Sequence, residues 1–448
     1  MGKVKVDFLF RYEHKVRELE TIMLLKLELE RRGYSVAFVG NYDYKQKDNY
    51  QPKVLISPAI YDNSNLYGDY IKYGLIKKIA NLQWEQIFTI GSEKDKNFAQ
   101  NIKGIGTRVI NFCWGDKRRE QIISNGVKKD CAITVGQVNT DLLKGRFSQS
   151  LKNKDELSKD FNIDSNLKWH LFISSFAYCE LDKLQTELVI KAIGYNDYSR
   201  FKKISDNSRE KILDWFETML NIDNQTILIY RPHPDEANKS TRLKEMELKY
   251  SNFKVISELA IKHWINACDK IYNWYSTGII DAIILNKPWR LLRPIVIDKD
   301  LDYKIMHNAQ FIKSYEEYIY EVHNYEIKEI IKIDTLKLYY HISDNFSYIK
   351  VCDILEDMLL TSKYDIRYTF NEYIYLHYLF TIYELRKIFR FIVEKILPSL
   401  FLKTLLKNRL EKQKIRMQPL IDGYEKNVIN NNDIKDITVR LKPIVYEK

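Results

Sequence analysis

The stretch ILIYRPHPDE at residues 227–236, followed by YNWYSTGIIDAIILNKP at 272–288, decides the fold. In the first, a fully apolar run, Ile227 to Tyr230, ends abruptly in Arg231, Pro232, His233 and Pro234. In the second, an apolar run reaches Ser276 and Thr277, and Gly278 opens an apolar helix. Short apolar runs of this length, bounded by turn residues, read as strands buried on both faces. Each strand passes directly into a turn or helix start, so both are strand-to-helix junctions of a parallel α/β sheet. Anions bind at such junctions, because free backbone N–H groups point outward there. A cation, a histidine and two hydroxyls at two such junctions predict a phosphate ligand.

The same alternation extends in both directions. Residues 4–10, 34–40, 53–57, 108–114 and 131–136 read as strands. Between them, 15–32 has Leu19, Ile22, Met23, Leu25 and Leu29 near helical period, with Gly33 as the stop signal. Further helices are expected around 70–80 and 117–124. A second set begins with HLFISSF (170–176), ending in Ser174 and Ser175. It continues through helices at 180–193 and 208–221 and strands at 226–230, 253–257, 270–274 and 289–297, with Pro294 as a break point. Residues 145–166 are polar and lack apolar period, so they read as a linker. The predicted architecture is α/β: an N-terminal Rossmann-like domain (1–148), a linker (149–166), a C-terminal Rossmann-like donor domain (167–330) and a basic, helical extension (331–448). The two domains are expected to face each other across a cleft.

Composition agrees with an ordinary globular chain: 448 residues, 45% hydrophobic and 29% charged. The net charge is +11, which calls for an anionic partner or surface or nothing specific. The 32 tyrosines accompany a general Lys/Asn/Ile bias and carry little weight as a base-stacking signal. Five cysteines without a CxxC pair argue against zinc and against a disulfide framework, and fit a reducing cytoplasm. No signal peptide and no apolar stretch near the roughly 20 residues of a spanning helix is found. There is no GxGxxG after the first strand, no GxxxxGK[ST] and no HExxH, so nicotinamide, P-loop and zinc-hydrolase chemistry are unsupported.

The remaining candidates lie in the loop after the first strand, with Arg11, Tyr12, Glu13, His14, Lys15, Arg17 and Glu18. Glu13 and His14 are the base or nucleophile candidates, with Glu85 as a rival carboxylate. A charged helix start is the plain alternative. Asp281, one turn into the helix after Gly278, is placed to bind a ribose hydroxyl or to complement the helix dipole. Asp298, Asp300 and Asp302 read as a solvated loop.

At these residues the chain resembles the GT-B glycosyltransferases of bacterial surface-polysaccharide assembly. The resemblance rests on FRYEHKVRELETIMLLKLELERRGYSV, NLQWEQ, the run from Asn111 to Asp141, LIYRPHP and ACDKIYNWYSTGIIDAIILNKP. The RPHP and Ser-Thr elements are similar to those of CMP-sugar-dependent sialyl- and Kdo-transferases and of CDP-glycerol polyol-phosphate transferases. The resemblance implies a metal-independent enzyme that takes a nucleotide-sugar donor, a CMP-activated acidic sugar first, to a glycan or lipid-linked acceptor. Arg231, His233, Ser276, Thr277, Gly278, Asp281, Ser174 and Ser175 would hold the donor; Glu13, His14 and His233 would carry the chemistry. The near rivals are a CDP-polyol phosphotransferase and a UDP-sugar 2-epimerase. A nucleic-acid-binding protein is the non-enzymatic rival, and no motif supports it. Residues 385–416 are basic and amphipathic; they are expected on the anionic inner face of the plasma membrane, with packing on the N-terminal domain as the alternative.

Overall fold

Two parallel six-stranded sheets, seen in a computed structural model, organise the chain. The structure describes residues 3–43, 46, 49–96, 98, 100–181, 183–233, 236, 240–307, 309–328, 331–341, 345–395 and 423–447. The first sheet contains β1 (Val4–Tyr12), β2 (Val36–Gly40), β3 (Tyr50–Ser57), β4 (Ile79–Asn81), β5 (Ile110–Cys113) and β6 (Ala132–Thr134), in the order β2-β1-β3-β4-β5-β6. The second contains β7 (Lys168–Ile173), β8 (Thr226–Arg231), β9 (Phe253–Val255), β10 (Lys270–Asn273), β11 (Trp289–Leu292) and β12 (Phe311–Ile312), in the order β12-β11-β10-β7-β8-β9. All strand pairs are parallel. Helices cover such sheets on both faces, which is why every residue of β5, β8, β10 and β11 is buried.

The chain divides into two compact units: Met1–Gln86 with Gln100–Gly136 and Ser343–Lys448, and Ile87–Ala99 with Gln137–Ile342. Each is a Rossmann-like α/β layer structure, and the helical C-terminal region belongs to the first. That membership explains an oddity of the helix Lys15–Arg31. Its sequence is amphipathic, yet nearly every residue from Glu18 to Leu29 is buried. The helices Ser347–Leu360 and Asn431–Tyr446 pack on its outer side. Specific contacts fix them: Arg32 to Glu356 (2.8 Å), Tyr34 to Glu356 (2.6 Å) and Arg440 to Glu20 (2.7 Å). Gly33, at φ +94°, ends the helix in the left-handed turn its sequence position predicts.

Several expectations are corrected. The helix expected around 70–80 is only a π turn (Asn65–Tyr70) and a 3-10 turn (Ile71–Tyr73); Gly74, at φ +89°, stops them, and Ile79–Asn81 is recruited as β4 between β3 and β5. Residues 145–166, read as a linker, contain the helix Lys154–Phe161, capped reciprocally by Asn153 and Glu156. Its two apolar residues, four apart, anchor it: Leu157 is buried, and Phe161 meets Trp264 edge-on at 4.9 Å. One such pair in eight residues is too short a pattern to register as periodicity. Two-residue β12, beyond the last strand expected from sequence (289–297), exists only through its pairing with β11. Asp302 is buried and paired with Arg293 at 3.1 Å, whereas Asp298 and Asp300 are exposed partners of Arg200.

Candidate active site

In both sheets the strand order reverses beside the first strand of the unit: between β1 and β3 in one, between β7 and β10 in the other. Helices on either side of a reversal leave a crevice outside the carboxyl ends of the strands, where ligands of open α/β sheets bind. The residues singled out in the sequence fall at these two places.

In the second unit, three neighbouring strand ends supply them. Ser174 and Ser175 follow β7, His233 follows β8, and Ser276–Gly278 follow β10. The ends are tied together. Ser174 N donates to Arg231 O at 3.0 Å. A Cβ built on Gly278 would lie 3.2 Å from Ser276 Oγ and 3.8 Å from Ile173, so the glycine keeps this corner open. Asn273 sets the turn: its Oδ1 accepts Ser276 N at 2.8 Å, and Ser276 Oγ in turn accepts Gly278 N at 3.1 Å. Ser276, Thr277 and Gly278 are all partly exposed. Ser175 Oγ is buried without a hydrogen-bond partner.

The loop carrying His233 is held by Glu236, which sequence reading passed over. Its buried carboxylate accepts His233 N (3.1 Å), Tyr230 Oη (2.5 Å) and Ser174 Oγ, and Arg209 Nε stands 3.6 Å away. Burial pushes this carboxyl above the usual range, against the pull of those hydrogen bonds. The position three residues after His233 is the only signal the sequence offered. Pro234 lies outside the described residues.

Two expected donor ligands turn elsewhere. Arg231 is buried, and its guanidinium donates to the carbonyls of Ile256 (3.3 Å), Glu258 and Leu259. Leu259 has φ +63°, a left-handed conformation costly for leucine, and Arg231 braces the loop that holds it. Burial lowers Arg231 to about 10, still a cation at neutral pH. These contacts hold the loop. Asp281 is only 5% exposed. The short helix Ile279–Ile284 turns it inward, where burial raises it to about 6 and Lys262 pulls the other way. A buried carboxyl of this kind is not presented to a ribose.

In the first unit, the loop after β1 places Glu13 and His14 at the start of the helix Lys15–Arg31, with His14 as its N-cap residue. Both are partly exposed. Glu18, named in the sequence only as one charge of this loop, is fully buried and accepts Glu13 N (2.8 Å) and His14 N (3.3 Å). Arg17 joins Glu18 (2.8 Å), Glu85 (2.7 Å) and Glu13 (3.7 Å), so the first-loop and NLQWEQ carboxylates form one cluster. Arg11, by contrast, is buried and donates to Tyr73 Oη (3.0 Å) and Asn41 Oδ1 (2.9 Å). Asn427 closes the loop from the C-terminal region: its Oδ1 accepts Lys15 N (3.0 Å) and its carbonyl accepts Tyr12 Oη (3.1 Å).

No protein-family model matches the sequence, and no match was found among curated proteins. Solved structures do match in fold. A variant of the wall teichoic acid polymerase TagF superposes with a TM-score of 0.52 at 12% identity, covering 80% of this chain and 90% of that one. A second TagF variant gives 0.50 at 12% identity over the same shares. The UDP-GlcNAc 2-epimerase of Methanocaldococcus jannaschii, in complex with UDP-GlcNAc and UDP, gives 0.47 at 13% identity, covering 79% and 99%. The chain has the two-domain, Rossmann-like GT-B fold with a helical C-terminal extension.

Proposed function

We propose that this protein is a metal-independent transferase that moves a sugar from a cytidine-nucleotide donor to a surface-glycan acceptor. One observation carries the reading: His233, after β8, and Ser276, Thr277 and Gly278, after β10, stand at the ends of the two strands that pair with β7, the strand beside the reversal of the second sheet. There a protonated His233, two hydroxyls and backbone N–H groups would neutralise the phosphate of a departing nucleotide, electrostatic work that requires no metal ion. The bond between sugar carbon and phosphate oxygen breaks. For an inverting reaction, the acceptor hydroxyl oxygen forms the new bond and gives its proton to Glu13 or His14. A retaining reaction would use the same carboxylate as nucleophile.

The test is a thermal-shift series with CMP, CDP, UDP and GDP. Binding to the folded state stabilises by RT ln(1 + [L]/Kd), so a cytidine nucleotide is expected to raise the melting temperature most. His233→Ala should abolish that shift and leave the ligand-free melt in place. Absence of a shift with all four nucleotides defeats the reading. CMP-sugar turnover against CDP-glycerol turnover then separates sugar transfer from polyol-phosphate transfer, and a chelator should change neither.

A further inference from the structure

The helix Lys15–Arg31 begins without a cap of its own. An N-cap residue ordinarily spends its side chain on the helix's first N–H groups, but the side chain of His14 makes no such bond. The acceptor comes from the far end of the chain. Asn427 Oδ1 takes the N–H of Lys15, the first helical residue, at 3.0 Å. The Asn427 carbonyl also accepts Tyr12 Oη at 3.1 Å. One buried residue therefore grips both neighbours of the pair Glu13–His14.

Asn427 is itself held. Its Nδ2 donates to Gly423 O at 3.0 Å. A Cβ built on Gly423 would stand 2.6 Å from the Tyr42 ring, so the glycine lets this turn approach it. Downstream, Asp433 pairs with Lys15 Nζ at 2.7 Å and Arg440 with Glu20 at 2.7 Å. The chain reaches this turn from the helix Phe370–Lys395 through residues 396–422, which fall outside the described residues and include most of the basic span, 385–416, expected on a membrane. The contacts divide the work at the loop. Glu18 fixes the N–H groups of Glu13 and His14 from within the helix, and Asn427 fixes Tyr12 and Lys15 from outside it. With Asn427 at the helix start, the His14 imidazole is not spent on the cap, and His14 stays partly exposed beside Glu13. We infer that Asn427 is a positioning residue of the transfer reaction. It acts through the Tyr12–Lys15 loop and sets where Glu13 and His14 meet the acceptor hydroxyl. The inference rests on the proposed role of that pair as proton acceptor. A reacting group displaced by about 1 Å loses on the order of a hundredfold in rate, whereas one lost hydrogen bond costs the fold little. Rate and stability should therefore part company at this residue.

Full-length variants test this. Asn427→Ala should lower kcat about tenfold or more and leave the donor KM within about twofold. It should also raise amide exchange at Glu13 and His14, with no change at His233. Asn427→Asp keeps an oxygen for Lys15 N beside the positive helix start and should recover most of the rate. Arg440→Met removes a contact that the same C-terminal region makes with Glu20, more than a turn beyond the loop. It should lower the melting temperature at least as far as Asn427→Ala and leave kcat unchanged. Equal losses of kcat in Asn427→Ala and Arg440→Met, or full activity in Asn427→Ala, overturn the inference. So does unchanged exchange at Glu13 and His14, which is read without substrate. If wild type transfers nothing, the proposed function falls, and the exchange rates still decide whether Asn427 positions the loop.

Discussion

The two units solve one problem with different chemistry. In each, a strand-end loop at or next to the sheet's reversal is held by a buried glutamate that accepts backbone N–H. Glu18 holds Glu13 and His14; Glu236 holds His233. Glu18 is compensated by a contacting cation, Arg17, at 2.8 Å. Glu236 is compensated chiefly by the hydroxyls of Tyr230 and Ser174, with Arg209 beyond hydrogen-bond reach at 3.6 Å. Burial raises both carboxyls, against those partners. The contrast teaches that a hydroxyl cage can replace an ion pair when the aim is to fix a loop. The ion pair lets Arg17 gather Glu85 and Glu13 as well, whereas the cage also ties its own members together, Tyr230 Oη reaching Ser174 Oγ at 3.0 Å.

The largest effect should come from emptying the cage. Glu236→Ala leaves the Tyr230 and Ser174 hydroxyls and the His233 N–H without their acceptor, at a cost of about 3–4 kcal/mol in urea unfolding. Glu236→Gln should recover more than half of it. A loss below about 1 kcal/mol would break the comparison.

Asp281 is the second unit's uncaged carboxyl. With its folded value raised from 3.8 to about 6, the folded state holds the proton more tightly than the unfolded chain. Its stabilising contribution is therefore fully present below about pH 4 and lost as pH rises through 6. Ionisation of Asp281 should cost about 3 kcal/mol at pH 8. Asp281→Asn should remove that decline between pH 4 and 7 in melting scans; an unchanged pH profile refutes it.

Glu18→Gln, which keeps one acceptor but leaves Arg17 with less charge beside it, should cost about 2 kcal/mol by the same unfolding measurement. The smallest effect is expected where the C-terminal region braces the first loop. Asn427→Ala removes the acceptor for Lys15 N and should cost about 1 kcal/mol. It should also speed amide exchange at Lys15, with no counterpart at His233.

Legibility followed the length of the signal. Strands β1, β8 and β10 and the helix Lys15–Arg31 were plain, because apolar runs and helical period are local properties. His233 and Ser276–Gly278 were also legible, since a strand end followed by turn residues is visible in the chain. Glu18 and Glu236 stood in view four and three residues beyond His14 and His233, but as ordinary charges. Nothing local reveals that a glutamate is buried. Arg231 and Asp281 show the converse: residue types suited to a ligand were claimed by Leu259's loop and by the inner side of a short helix.

The sequence by itself determined two parallel α/β units and the strand ends that carry candidate chemistry, because short apolar runs can bury both faces only in that arrangement. Only the tertiary structure decided which charged side chains point inward, where strand order reverses, and that the chain's last helix closes over its first. Those outcomes depend on contacts between residues as far apart as Tyr12 and Asn427, and no local pattern encodes them.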